Sequence, residues 1–396
     1  MSFQLTEKYF TCPENFNLTI NEINFPRRVV TGYGASKMIS FEVKKFGSSA
    51  LIITHAPGRF TSTGILSEIL ADLKGDGVRY EIITYQEIAT TDEIDQAAAI
   101  VALKDFSVVL CIGGGTILDA GKAISLVAAN PGGCEDYMFG RIQPIREGLP
   151  IIAVPTTAGS GSESTTVSVI RNKKLGLIKS LNHIYMLPKC VILDPGFIKH
   201  LNPEMLAVSG LDAFSHALES YTSPKSSSLS RSFSISALEM IYRTLPKVTC
   251  GIAHDDDYSD LLVGAHLAGI ALNAGVGAAH IFAQPLTATI GISHGQALSA
   301  VLEEVVRFNE EGLTLPYKAI VDLLDPMHTF ELKNMSAIVK SFMSNIGMNK
   351  RLKEYADIDN LSKVMSNIGE TTSHIWTNAR PISNLDIQNI LHKSWL

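Results

Sequence analysis

Residues 106–124 read FSVVLCIGGGTILDAGKAI. Phe106 to Ile112 is an apolar run of strand length, Gly113, Gly114 and Gly115 follow directly, and a helix is predicted from about Thr116. A strand that runs through glycines into a helix sets backbone N–H groups and the positive end of a helix dipole where a pyrophosphate can sit. The same glycines also suit a tight strand-to-helix turn with no ligand, and the segment alone leaves both readings open. Register excludes two common phosphate loops. A Walker A loop needs a glycine where Thr116 stands and a hydroxyl where Ala123 stands, and the GxGxxG dinucleotide fingerprint needs a glycine where Leu118 stands.

Working outward, the pattern alternates. Ser49 to Thr54 reads as a strand, Gly64 to Leu73 as a helix, Tyr80 to Tyr85 as a strand and Asp92 to Leu103 as a helix. After the glycines come short strand-like pieces at Pro150 to Val154, Thr165 to Ile170 and Cys190 to Leu193. Alternation of this kind predicts a parallel sheet covered by helices. Beyond Pro203 the β pattern stops and helical periodicity takes over. The boundary falls within residues 196–203, which gives an α/β domain over residues 1–198 and an all-helical domain over residues 199–396.

Composition limits the function classes. At 396 residues, with 46% hydrophobic and 18% charged residues, the chain is that of a globular protein with a large interior and more than one core. A formal net charge of -6 offers no basic footprint for nucleic acid, so small molecules are the expected partners. The N-terminal MSFQLTEKYF lacks the pattern of a secretory signal, and apolar runs such as Ser107 to Ile112 are too short to span a bilayer. The expectation is a cytoplasmic protein with no membrane partner. Five scattered cysteines (Cys12, Cys111, Cys134, Cys190 and Cys250) without CxxC spacing indicate neither a disulfide framework nor a thiolate metal site.

Chemistry concentrates in two later clusters. In GLDAFSHALESY, Leu211, Phe214, Leu218 and Tyr221 form a helical apolar stripe, and Asp212 and His216, four apart, project side by side from another part of that helix. Taken alone, the pair fits an ordinary i,i+4 interaction equally well. In GAAHIFAQPLTATIGISHGQA, His280 and His294 follow, the second flanked by small residues that admit close neighbours. One carboxylate and three imidazoles make a complete ligand set for a divalent transition metal with an open position. A further polar segment, Pro155-Thr156-Thr157-Ala158-Gly159-Ser160-Gly161-Ser162-Glu163, can hold ribose or phosphate oxygens or serve as a plain connection.

In order, GGGTILDAGKAI, PTTAGSGSE, ILDP, GLDAFSHALESY and AAH…ISHG resemble the iron-containing (group III) alcohol dehydrogenase family, over most of the chain from about Phe25 to the closing Asn378-Ala379-Arg380-Pro381-Ile382-Ser383. The resemblance implies an α/β N-terminal dinucleotide-binding domain and an all-α C-terminal domain, the dehydroquinate synthase-like architecture, with metal and nicotinamide meeting in the cleft between them. It implies metal ligation by Asp212, His216, His280 and His294, with Fe2+ or Zn2+ as the ion. Gly114, Gly115, Thr116 and Asp119 are then expected at the cofactor's pyrophosphate, Thr156, Thr157 and Ser160 along the nicotinamide ribose side, and Lys174 near the cofactor ribose. The implied reaction is hydride transfer between NAD(P)(H) and a small alcohol or aldehyde, in a homodimer or higher homo-oligomer. Glycerol dehydrogenases and dehydroquinate synthases share the plan and stand as the alternative, as does a non-catalytic relative.

Two departures from the family pattern matter. Members that prefer NAD commonly carry an Asp after the first strand, where this chain has Thr54-His55-Ala56-Pro57-Gly58-Arg59. With the acid absent and Arg59 near, His55 and Arg59 join the expected cofactor positions and NADP(H) becomes the favoured cofactor. Gln284 stands where many relatives carry a relay histidine, and a glutamine does not titrate. The Pro285-Leu286-Thr287 that follows is similar to phosphonoacetaldehyde reductases of the family, pointing to an aldehyde reductase.

Overall fold

Strands that are apolar on both faces are built to be covered on both faces, and that property organises the first half of the chain. The computed structural model describes residues 22–56, 64–312, 314–325, 334–355, 357, 363–365, 368 and 375–396. It forms two compact units, one of Asn24–Leu201 with His254–Gly269, the other containing Asn202–Ala253 and Ile270–Leu396.

The first unit carries strands β1 (Val29–Thr31), β2 (Ser49–His55), β3 (Arg79–Tyr85), β4 (Val108–Gly113), β5 (Ile151–Pro155), β6 (Val167–Asn172), β7 (Leu177–Asn182) and β8 (Cys190–Leu193). Six of them make a parallel sheet in the order β1-β8-β5-β4-β2-β3. Every residue of β2 and β4 is buried. Ile52, Leu110, Ile112, Ile152, Val154 and Ile192 share a core cluster with Ile39 and Val43 of helix α1 (Ile39–Lys44) and Ile69 and Leu73 of α2 (Ile65–Gly75). Helices α3 (Thr91–Leu103) and α4 (Gly115–Ala129) complete the alternation, α3 opening on a capping box of Thr90 and Glu93. The strands read from sequence at Ser49, Tyr80, Phe106, Pro150 and Cys190 all lie in this sheet.

Two features departed from the sequence reading. The strand expected at Thr165 to Ile170 pairs with β7 in a separate antiparallel hairpin instead of joining the sheet. β1 and β7 were not read at all, because β1 is three residues long at a sheet edge and β7 exposes much of its length.

The order of strands fixes where a ligand can sit. From β2 the chain goes outward to β3, whereas from β4 it goes the other way to β5, so the connections diverge between β2 and β4. Such a reversal opens a crevice at the carboxyl ends of the strands. Thr54 pairs with Ile112 and Gly113 with Pro155, so His55, the three glycines and the Pro155 loop emerge side by side.

The hairpin is tied to α4 by a buried ion pair. Lys122, 1% exposed, lies 3.1 Å from Asp119 Oδ1 and donates to the carbonyl oxygens of Ser162 (2.9 Å) and Val167. Asp119 Oδ2 accepts the Val169 N–H (3.0 Å), and the Asp119 carbonyl accepts Ser168 Oγ–H (2.7 Å).

The second unit is helical throughout its described residues: α6 (Pro203–Thr222), α7 (Ser228–Thr249), α9 (Ala278–Ile290), α10 (His294–Glu310), α11 (Thr314–Leu324), α12 (Met335–Asn345) and a last helix, Asn384–Trp395. Between α7 and α9 runs α8 (Asp255–Ala271), most of which groups with the α/β unit although it follows the boundary read from sequence. The remaining short helix, α5 (Cys134–Met138), lies in the α/β unit. Among the described residues no single helix is long and apolar enough to cross a membrane.

Removing one partner of a buried pair leaves a charge uncompensated. Lys122→Met is expected to lower unfolding free energy by about 3 kcal/mol, measured by denaturant titration, and adding Asp119→Asn should restore part of the loss. Wild-type stability in Lys122→Met would contradict this account of the hairpin anchor.

Candidate metal centre and dinucleotide loops

Asp212, His216 and Glu219 stand at i, i+4 and i+7 on α6, hence on one face. His280 is the third residue of α9, and His294 is the first of α10, whose start is fixed by a capping box of Ser293 and Gln296. Gly295 follows because any β-carbon there would run into the Val208 carbonyl of α6.

The four side chains read from sequence converge. The Nε2 atoms of His216, His280 and His294 lie 3.5, 3.7 and 3.7 Å from Asp212 Oδ1. Ligand atoms of Asp212, His280 and His294 all fall within 4.8 Å of one another, and the His216 ring stacks on His280 at 4.7 Å. These separations exceed a hydrogen bond. They match the edge of a tetrahedron of about 3.4 Å that metal–ligand bonds of about 2.1 Å produce.

The polar atoms at the centre fit a cation. Among the described residues, Asp212 Oδ1 and His280 Nε2 are buried and find no hydrogen-bond partner. His280 Nδ1 is 2.6 Å from Glu219 Oε2, so Nδ1 carries a proton; burial opposes a charge on the ring, yet Glu219 and Asp212 together push His280 up to about 9 in the metal-free site, and a cation would take the place of the second proton at Nε2. A divalent cation between Asp212 Oδ1 and His280 Nε2 satisfies both. Burial works against charge on Asp212, yet the three imidazoles hold its carboxyl well below the usual range. Burial also holds His216 down to about 4, which keeps its imidazole neutral and ligand-competent at neutral pH. The His294 side chain remains 36% exposed, so the cluster is open on that side.

Glu219 is the residue that the sequence reading missed. It is 4% exposed, accepts the Ala279 N–H at Oε1 (2.7 Å) and orients His280 through Oε2. Carboxylate support of a metal-binding histidine fixes both tautomer and ring orientation. Its signal was present in the sequence: Glu219 shares the Asp212–His216 face, three residues beyond His216. Asn378 completes the support, its Oδ1 accepting the Ala278 N–H (3.0 Å) and its amide paired with Asn309.

In the α/β unit, α4 begins at Gly115 with no side-chain cap from Gly114. Gly114 N–H donates to Nε2 of the buried His55 (3.4 Å), and Thr156 N–H donates to the Gly113 carbonyl (3.1 Å). A β-carbon on Gly115 would meet Ser160 Oγ at 2.7 Å, and one on Gly114 would meet Thr157 Oγ1 at 3.2 Å. Both glycines are therefore required by the close seating of the second loop, which sets the Thr157 and Ser160 hydroxyls over the helix N-terminus. Thr116 lies half-buried in the first turn of α4 and Thr156 is buried.

Two other cofactor candidates have partners within the protein. Asp119, expected at the pyrophosphate, has both oxygens engaged inside the protein, by Ser162 Oγ–H (2.5 Å), Lys122 and the Val169 N–H. Lys174 sits between β6 and β7, its side chain 71% exposed and 3.6 Å from Asp92. Arg59 lies outside the described residues.

Comparison with known proteins gives the family. Residues 26–195 match the family described as iron-containing alcohol dehydrogenase, and residues 206–395 match its C-terminal domain. The chain belongs to the iron-containing alcohol dehydrogenase family, whose members are oxidoreductases of alcohols and aldehydes; membership implies a divalent metal and NAD(H). It is 33% identical over 364 residues to a probable alcohol dehydrogenase EutG of Salmonella typhimurium, covering 89% of this chain and 90% of that one. It is 28% identical over 301 residues to a sulfoacetaldehyde reductase of Bilophila wadsworthia, covering 75% and 77%. The structure superposes on an iron-containing alcohol dehydrogenase from Thermotoga maritima with a TM-score of 0.83 at 25% identity, covering 95% and 99%.

Replacing the carboxylate behind His280 should loosen the metal without removing a ligand. Glu219→Gln is expected to weaken metal affinity about tenfold to a hundredfold, read by competition with a chromophoric chelator. Unchanged affinity would show that Glu219 is a structural bystander.

Proposed function

We propose that this protein is a metal-dependent aldehyde reductase, moving hydride between NAD(P)(H) and a small aldehyde or alcohol. The observation that carries the reading is the convergence of three imidazole Nε2 atoms on a buried, unbonded carboxylate oxygen. Asp212, His216, His280 and His294 are the proposed ligands, and Fe2+ the proposed ion. Bound there, the cation supplies Lewis-acid polarisation of the substrate oxygen while the nicotinamide ring supplies or accepts the hydride.

The rest is the work of the chain. Glu219 holds the His280 ring and its tautomer, and the exposed edge of His294 leaves room for a substrate oxygen. First-turn N–H groups at Gly115 and Thr116, with the hydroxyls of Thr156, Thr157 and Ser160, hold the dinucleotide's phosphate and ribose oxygens, Gly114 giving the close approach and His55 bracing it. Asp119 acts one step removed, by fixing the loop. No acid follows β2 to repel a 2′-phosphate, so NADPH is accepted alongside NADH and favoured over it. Gln284, half-buried four residues beyond His280 on α9, can bond a substrate but cannot relay a proton.

The chain's likeness to a protein named sulfoacetaldehyde reductase supports reduction of an aldehyde that bears an anionic group, and phosphonoacetaldehyde belongs to that class. We place the domain boundary at 198/199, the protein in the cytoplasm, and its working form as a homodimer or higher homo-oligomer.

The test is metal analysis of protein purified without added metal, coupled to NADH and NADPH oxidation over a panel of small aldehydes including sulfonated and phosphonated ones. The expected result is one transition-metal ion per chain and metal-dependent turnover, abolished by His280→Ala. Folded, metal-loaded protein that binds neither dinucleotide would refute the reading.

A further inference from the structure

We propose that His266, on α8, is a positioning residue for the loop of residues 155–165, acting through Ser164 and Glu163 to set dinucleotide affinity. The inference rests on reading that loop as part of the dinucleotide site.

The three side chains form a closed cluster. His266 is 4% exposed, Glu163 3% and Ser164 0%. His266 Nδ1 lies 2.7 Å from Ser164 Oγ and 3.3 Å from Glu163 Oε1. A carboxylate oxygen accepts only, so the ring nitrogen facing it must carry the proton. Nδ1–H is therefore shared between Glu163 and Ser164, and Ser164 Oγ–H is left to donate to the His266 carbonyl at 3.1 Å. His266 Nε2 is buried and finds no hydrogen-bond partner among the described residues, so the ring's hydrogen bonds there are directed at the loop. A buried carboxylate gains from such a donor, the Ser164 hydroxyl lying further from it, at 3.5 Å.

A second contact lies one turn further along α8. Gly161, at φ +62°, meets Gly269 so closely that a β-carbon on either would strike the backbone of the other. Loop and helix are thus held at two points, His266 to Ser164 and Gly269 to Gly161. Between these anchors and the glycine turn stands Ser160, whose Oγ accepts the Ser162 N–H at 3.3 Å and occupies the space beside Gly115. A shift of the anchored end displaces the hydroxyls of Thr157 and Ser160 from the first turn of α4. The metal ligands lie in the other compact unit, so the effect falls on cofactor affinity and leaves metal content intact.

The test uses full-length, metal-loaded protein, with NADH binding read by fluorescence titration beside kcat, KM and metal content. His266→Gln cannot place a donor at the Nδ1 position, whereas His266→Asn can. His266→Gln and Ser164→Ala are expected to raise the NADH Kd about tenfold, the scale of one lost charge-assisted hydrogen bond, with kcat at saturating cofactor and metal content retained. His266→Asn should stay within about twofold of wild type. Should His266→Gln fail to fold, Ser164→Ala, which removes one buried oxygen, decides alone. Wild-type affinity in the variants, or an equal loss in His266→Asn, overturns the positioning role while leaving the dehydrogenase reading in place. Failure of the wild-type protein itself to bind NADH or NADPH overturns both.

Discussion

An unbonded carboxylate oxygen in a protein interior is costly, and Asp212 Oδ1 is such an atom, ringed by three imidazole nitrogens. The helical unit is arranged around it. One face of α6 brings Asp212, His216 and Glu219 into line, α9 begins two residues before His280, and α10 begins at His294. Two of the four converging side chains therefore come from first helical turns, where backbone direction is set by caps and not by the helix interior. Asn378 and Glu219 together take the first N–H groups of α9, so the His280 ring is fixed from its backbone and from its far nitrogen at once. A cation at the centre would take up the Asp212 oxygen and the three imidazole nitrogens together, which is the arrangement proposed above.

The α/β unit solves a different problem, that of holding irregular backbone still at the ends of three strands. Its answer is buried polar groups behind the loops: Lys122 and Asp119 behind the hairpin, and His266 behind Ser164 and Glu163. The groups that reach the front are neutral, N–H and hydroxyl, which suits a ligand carrying its own negative charge. The stability of the loops and the chemistry at their surface are thus carried by different residues.

How much of this was legible in the sequence follows from what each residue does locally. Strands covered on both faces announce themselves as apolar runs, so the sheet was readable, and the side chains that converge on Asp212 were readable because metal chemistry narrows residue type and helical spacing narrows geometry. Glu219 escaped because a glutamate on a helix is ordinary until its neighbour across the fold is known. His266 escaped for the same reason: its partners lie about a hundred residues away, a separation that no local pattern encodes. At Gly114 and Gly115 a β-carbon would meet the side chains of Thr157 and Ser160, a packing demand from about forty residues away that the glycine run itself does not encode. The hairpin was misplaced because a short strand's partner is a tertiary matter.

The central claim is that one carboxylate and three imidazoles share a single cation. X-ray absorption at the metal edge of the loaded protein measures this most directly. The account predicts a first shell of nitrogen and oxygen at about 2.1 Å with the outer scattering of three imidazole rings, reduced to two in His280→Ala. Sulfur in the first shell, or a spectrum unchanged by His280→Ala, would contradict it.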